Sequence, residues 1–261
     1  MKLITSKDNT IIKDLSRLLS SKKTRNDKGL FVVEGIRTAV EVHKCGTKIK
    51  SVFVTKTANE KFSSQISQLL AVADETFEIS DVISSKISDT NTPQGVFCVC
   101  EIPEKELEIE KDGNYILLCS LQDPGNLGTI IRSCDAFNIS GLLMTSDCPD
   151  IFSPKVLRST MGTALRLPIK IYDDAAQAVL EMKNMGITVY AAALTENSRD
   201  LTEFDLTSSS CVMIGNEGNG LSDENIKIAD QKIIIPMNEK SESLNAAIAA
   251  SIFAWEMSKK K

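Results

Sequence analysis

The chain has 261 residues, 42% of them hydrophobic and 25% charged, and carries a formal net charge of −5. That composition is ordinary for a folded protein, and the length fits one large domain or two modest ones whose cores need neither disulfides nor metals. No apolar run is long enough for a transmembrane helix, and the N-terminus, with charges among its apolar positions and no small-residue cleavage site, does not read as a secretory signal. In chain order, Ile11, Ile12, Leu15, Leu18 and Leu19 recur at helical spacing and predict a helix over 9–19. A polar, basic stretch rich in turn formers follows over 20–29. Strands are predicted at 30–33, 51–54 and 95–100, and helices at 36–45 and 60–72. Alternating elements make residues 1–102 a small α/β unit. Residues 103–113 are charged, lack a core-forming face, and read as a linker.

The pattern restarts at 114. Strands are predicted at 115–121, 141–144, 167–172, 188–194, 210–214 and 233–236. Helices are expected at 129–137, 154–165, 174–185 and 243–258, with a turn over 123–128. Strand and helix alternate nearly throughout, so residues 114–261 should form a mainly parallel sheet with helices on both faces.

Charge is unevenly distributed. Residues 1–56 hold 13 Lys and Arg against 5 Asp and Glu, while the rest hold 17 against 30. This points either to a segment that meets a polyanion or to a lysine-rich solvated face. Seven cysteines sit mostly within apolar runs and form no CxxC pair, as expected of buried free thiols in a reducing cytoplasm. The lone histidine, His43, excludes any site needing two histidines, and no metal is expected.

Three segments have the makings of a site. Leu121-Gln-Asp-Pro-Gly-Asn-Leu-Gly-Thr-Ile-Ile-Arg132 ends a strand, turns on two glycines and opens a helix whose amides can meet an anion or polar ligand. Taken alone it also fits a Pro-Gly turn with a surface arginine. Val212-Met-Ile-Gly-Asn-Glu-Gly-Asn-Gly-Leu-Ser222 surrounds Glu217 with glycines that permit close backbone approach, yet it is neither GxGxxG nor a Walker loop. Ile235 to Ala250 closes a strand at Pro236 and starts a small-residue helix near Ser243, a natural N-cap.

Together, in this order and spacing, the three resemble the motifs of the SpoU branch of the SPOUT methyltransferases. Asp123-Pro-x-Asn126-x-Gly128 with Arg132, Gly215-Asn-Glu217-Gly-x-Gly220-Leu-Ser222, and Ile235-Pro-Met with Ser243-Leu-Asn245 carry the likeness. Phe152-Ser-Pro-Lys-Val-Leu-Arg-Ser-Thr-Met-Gly162 also resembles the family. Phe31-Val-Val-Glu-Gly35 and Thr92-Pro-Gln-Gly95 look like the small RNA-binding domain that precedes many members. Departures are mild: Thr129 stands where a small residue is usual, Asn138 where glycine is, and Ala246 where valine is. Asn138 can take the left-handed helix end that glycine would.

The resemblance implies a C-terminal SPOUT domain with a trefoil knot, S-adenosyl-L-methionine as cofactor, a homodimer with its active site at or near the subunit interface, and 2′-O-methylation of RNA in the cytoplasm. Ribosomal RNA is favoured over transfer RNA; a non-catalytic RNA-binding protein with a vestigial knot is the rival from another class. By position, Gly215, Asn216, Ile235, Met237 and Leu244 should line the cofactor pocket. Arg132, Asn126, Glu217, Ser243 and Asn245 should form the catalytic group, and Lys22, Lys23, Arg25 and Arg132 should meet RNA. A guanidinium stays protonated, so Arg132 is expected to stabilise a developing alkoxide rather than act as a base.

Overall fold

The computed structural model describes residues 1–103, 107–160, 162–238 and 243–259; Met161, part of the expected linker and part of the third motif's loop lie outside them. The chain divides into two compact units, Met1–Glu104 with Asp150–Leu165, and Lys105–Pro149 with Arg166–Lys261.

The first unit opens with β1 (Lys2–Ile4), α1 (Thr10–Ser20), α2 (Lys22–Lys28), β2 (Leu30–Glu34) and α3 (Ile36–Lys44). It continues with β3 (Ile49–Thr55), α4 (Lys56–Lys61), α5 (Ser63–Val72), β4 (Glu75–Ile79), α6 (Asp81–Ile87) and β5 (Val96–Glu101). The strands form a mixed sheet in the order β1-β4-β3-β5-β2. Of the predicted stripe, helix α1 buries Ile12, Leu15 and Leu18 against a core that includes Val32, Phe53, Phe77 and Phe97, while Leu19 is half-buried and Ile11 is exposed. The basic stretch expected to be turns contains α2. Its ends explain why: Ser21 accepts from the Thr24 amide at 3.2 Å, and Gly29 closes the helix at φ 63. Caps at both ends hold a helix that has no apolar stripe to announce it. Strands β1 and β4 and helix α6 were not legible in the sequence either: β1 has only three residues, and β4 and α6 interleave polar residues with apolar ones where a clear run or stripe would be needed. The predicted helix over 60–72 is two helices that meet at Phe62.

The second unit carries β6 (Asn114–Leu118), α7 (Pro124–Ala136) and β7 (Gly141–Thr145). After α8 (Pro154–Thr160), which belongs to the first unit, come β8 (Ile169–Tyr172), α9 (Ala175–Asn184), β9 (Thr188–Ala192) and β10 (Arg199–Asp200). The chain ends with β11 (Ser210–Ile214), α10 (Asp223–Ile228), β12 (Gln231–Ile234) and α11 (Ala246–Ser258). All seven strands run parallel in the order β10-β12-β9-β11-β6-β7-β8. Central strands β6 and β11 are apolar and buried, as a parallel sheet requires. Asn138 sits at φ 54 just past α7, the left-handed position expected of it.

Residues 150–165, expected within the C-terminal domain, fold with the first unit instead. An aromatic pair and an ion pair hold them there. The Phe152 ring lies 4.8 Å from that of Phe31, and the Asp150 carboxylate lies 2.6 Å from the Arg25 guanidinium. Glu34 of the Phe31–Gly35 motif also accepts from Thr90 Oγ1 at 3.1 Å and faces Arg158 at 3.6 Å. Glu34, Thr90 and Arg158, from three distant parts of the sequence, therefore meet in this unit.

Candidate active site

In a parallel sheet every strand delivers its C-terminal end to the same edge, and ligands bind there. The three motif loops follow β6, β11 and β12, so they gather on that edge. After β6, Ser120 turns the chain at φ 57, with its amide donating to Thr145 Oγ1 at 2.9 Å. Asp123 then caps α7, accepting from the amides of Gly125 and of Asn126 (3.2 Å), with Pro124 in the first helical turn. The segment expected as a turn over 123–128 is therefore the first turn of α7, which begins at Pro124 and not at Thr129. Proline at this place misleads only if read as a breaker; its missing N–H is one that the helix start leaves unpaired anyway.

After β11, Gly215 is buried and no other residue would fit. A Cβ there would lie 2.1 Å from the Gly220 carbonyl carbon. Asn216 and Gly220 exchange backbone hydrogen bonds of 3.0 and 2.9 Å, closing a small loop with Glu217 at its exposed tip. The Asn216 side chain accepts from the Gly218 amide at 2.8 Å and donates to the Ser120 carbonyl at 2.9 Å, tying this loop to the first.

Glu217 joins the motifs. One carboxylate oxygen accepts from the Asp123 amide at 2.9 Å and from Asn126 Nδ2 at 2.8 Å; the other accepts from the Gln122 amide at 3.0 Å. Asn126 Oδ1 in turn accepts from Asn245 Nδ2 at 3.1 Å. Asn245 Oδ1 caps α11, accepting from the amides of Ala247 and Ile248 at 2.9 and 3.3 Å. The N-cap is thus Asn245, and the helix starts at Ala246 instead of near Ser243. Partial burial would raise the Glu217 carboxyl pKa, but the donations from Asn126 and the backbone amides of Asp123 and Gln122 outweigh it and hold the group below its ordinary value. Glu217 is therefore an anion near neutrality, an acceptor that fixes donors and not a proton source.

The other expected residues take varied places. Arg132 lies on α7, exposed, with no hydrogen-bond or ion-pair partner among the described residues. Ser243 is exposed, Ile235 and Leu244 are half-buried, and Met237 is 39% exposed. Lys22 and Lys23 are exposed on α2. Arg25 is not available to RNA, contrary to expectation. It is 4% exposed, and its guanidinium is held by Asp150 and by the carbonyls of Leu18 and Leu19 at 2.6 and 3.2 Å. Its spacing among exposed lysines hid that role. The sequence reading also missed Gln122, whose side-chain amide donates to the Ser120 carbonyl at 3.1 Å.

The pattern of the SpoU rRNA methylase family matches residues 113–255, and that of the MRM3-like substrate-binding domain matches residues 9–98. This chain belongs to the SpoU rRNA methylase family. Its two matched regions put a substrate-binding domain ahead of the SpoU sheet and its motif loops. A 23S rRNA (guanosine(2553)-2′-O)-methyltransferase of Bacillus subtilis is 31% identical over 98% of this chain and 99% of its own. A tRNA (guanosine(18)-2′-O)-methyltransferase of Thermus thermophilus is 32% identical over only 56% of this chain and 74% of its own. Among solved structures, an AdoMet-bound rRNA methyltransferase from Sinorhizobium meliloti superposes with a TM-score of 0.86 at 30% identity, covering 98% of this chain and 97% of the other. The SpoU motifs of the sequence are thus the loops that converge on Glu217.

Proposed function

We propose that this protein transfers a methyl group from S-adenosyl-L-methionine to a ribose 2′-hydroxyl of ribosomal RNA. One observation carries the reading. Glu217, Asn126 and Asn245, brought from three loops, form a continuous hydrogen-bonded chain on the sheet edge, with the exposed guanidinium of Arg132 on α7, the helix that carries Asn126 in its first turn. A likeness of family and fold over nearly the whole chain stands behind it.

The residues present fit the cofactor. Gly215 offers backbone where a Cβ would have no room, Asn216 is locked by two loops, and Ile235, Met237 and Leu244 supply apolar surface that is partly or wholly open. When bound, S-adenosylmethionine supplies an electrophilic methyl group whose leaving group is already built in. The chain's own part is to position and to stabilise. Glu217 holds Asn126 in the first turn of α7, and Asn126 holds Asn245, the cap of α11, so the two helix starts that frame the site are tied together and the nucleophile's approach is aligned and not searched for. Arg132 meets the negative charge that grows on the ribose oxygen; its fork also grips an adjacent phosphate. The proton leaves to a phosphate oxygen or to water.

The same reading includes the family's trefoil knot, a homodimer and a cytoplasmic site of action. An exposed apolar stripe on α11, with Ile248 and Trp255 both 52% exposed and the Trp255 ring 5.5 Å from that of Phe137, supports a second copy on this face. Ribosomal RNA is favoured over transfer RNA because the N-terminal unit matches the MRM3-like substrate-binding domain, whereas the Thermus tRNA enzyme shares only about half of this chain. The test is incubation with methyl-labelled cofactor and unmodified transcripts of large-subunit ribosomal RNA or of tRNA, followed by mapping of 2′-O-methyl groups. Label confined to tRNA would overturn the substrate assignment. Cofactor binding without transfer to any RNA, in the folded dimer, would make this a non-catalytic RNA-binding protein. Arg132→Lys should lower turnover by about 10²–10³ with cofactor affinity unchanged.

A further inference from the structure

Among the side chains around Glu217, Gln122 has no part in the scheme above, yet it is both exposed and held. Exposed glutamines ordinarily sample many rotamers, and holding one in place costs side-chain entropy. Here Nε2 donates to the Ser120 carbonyl at 3.1 Å. The same carbonyl accepts Asn216 Nδ2 at 2.9 Å, so both its lone pairs are engaged. That carbonyl is aimed by a non-glycine residue at φ 57, a backbone state that the surroundings must enforce. The Gln122 amide is fixed as well, donating to Glu217 at 3.0 Å. Backbone and carboxamide are thus anchored independently, the first to Glu217 of the loop after β11 and the second to Ser120 of its own loop.

What remains of the carboxamide is Oε1 and one N–H, with no partner among the described residues. A planar acceptor beside a donor, preset and solvent-facing, matches the edge of a nucleobase, which is how carboxamides read bases. Sequence-specific RNA recognition acts on unstacked bases splayed from the helix, whose Watson–Crick edges are then open. A phosphate takes donors alone and a sulfonium takes acceptors alone; the cofactor's adenine offers a matching edge, and the cofactor Kd separates it from the RNA base, a Kd that rises in Gln122→Ala overturning the proposal.

We propose that Gln122 is a specificity-determining residue whose carboxamide hydrogen-bonds the base edge of the nucleotide being methylated. The inference rests on the methyltransferase reading, and its experiment separates the two. Transcripts carrying each of the four bases at the mapped target are compared for the wild-type enzyme, Gln122→Ala and Gln122→Glu, with three readouts: kcat/KM for each base, RNA affinity without cofactor by filter retention, and cofactor Kd.

Wild-type enzyme should favour one or two bases by roughly 10- to 100-fold, as one bidentate interaction can provide. Gln122→Ala should flatten that preference towards unity and weaken binding of the preferred transcript, with cofactor Kd unchanged. Gln122→Glu should do likewise, because a carboxylate cannot donate to the Ser120 carbonyl and swings free. A merely structural role would lower all four rates together and leave their ratios intact; that result overturns the proposal. So does a wild-type enzyme indifferent to the base. If the wild-type enzyme methylates no transcript at all, the methyltransferase reading itself fails and Gln122's role falls with it, a result visible before any variant is made.

Discussion

Replacing Glu217 by Gln is the most direct probe of the hydrogen-bonded chain that joins the motif loops. The substitution keeps shape and removes charge. The oxygen that serves both the Asp123 amide and Asn126 can be kept, but the new NH₂ must then face the Gln122 amide, donor against donor. One hydrogen bond to a charged group disappears, typically about 1.5–3 kcal/mol. Because Glu217 is exposed, water replaces part of it, and about 1 kcal/mol is the expected net loss. For a domain of this size that lowers Tm by about 2–4 °C at pH 7. The pH dependence is the sharper test. The folded carboxyl titrates below its ordinary value. It therefore contributes stability that is fully present above the ordinary carboxylate pKa and is lost as pH falls through the lower folded value. Glutamine has no such contribution, so the gap in Tm between wild type and Glu217→Gln should narrow as pH drops below about 5. Thermal melts by circular dichroism across that range suffice. A gap that is absent at neutrality, or that persists unchanged into acid, would refute the account of Glu217 as an anionic tie.

Arg25→Ala strands the Asp150 carboxylate, whose side chain is 11% exposed, and should cost about 3–5 kcal/mol by denaturant unfolding; Arg25→Met paired with Asp150→Leu should recover much of it. Lys13, Lys23 and Arg37 are exposed and have no ion-pair partner among the described residues, whereas Lys50 is bound to Asp74 and Glu101 at 2.9 and 3.5 Å. Alanine at the first three should weaken RNA binding and flatten its salt slope by about 0.7–0.9 for each phosphate no longer neutralised, while Lys50→Ala should leave the slope unchanged. Arg132→Ala and Asn245→Ala should each abolish activity; in the proposed homodimer with a site shared between subunits, a mixed dimer should regain about half of normal activity, since one composite site then holds neither change. A mixed dimer that binds cofactor and stays inactive would put both residues in one protomer's site.

How much the sequence determined differs between the two units. In the second, buried parallel strands announce themselves as apolar runs, and β11 matches the predicted 210–214 residue for residue. The motif residues were legible through the family resemblance, but not their tasks: Asn126 bridges Glu217 and Asn245 by its side chain, and Asn245, not Ser243, caps the last helix. Element ends were less legible. Asp123 and Asn245 each set a helix start by accepting two amides, a choice among several nearby candidates that only three-dimensional structure makes. In the first unit, α2 has no apolar residue, and β4, as long as β11, carries two glutamates in place of an apolar run, so tertiary packing supplies what local pattern lacks. The charge of residues 1–56 illustrates the limit most plainly. Composition counts cations, but Lys2, Arg25, Lys48 and Lys50 meet carboxylates at Glu75, Asp150, Glu101 and Asp74, all outside that segment. Which cations are free for a polyanion depends on pairings between residues far apart in the chain, and no one-dimensional reading contains those distances.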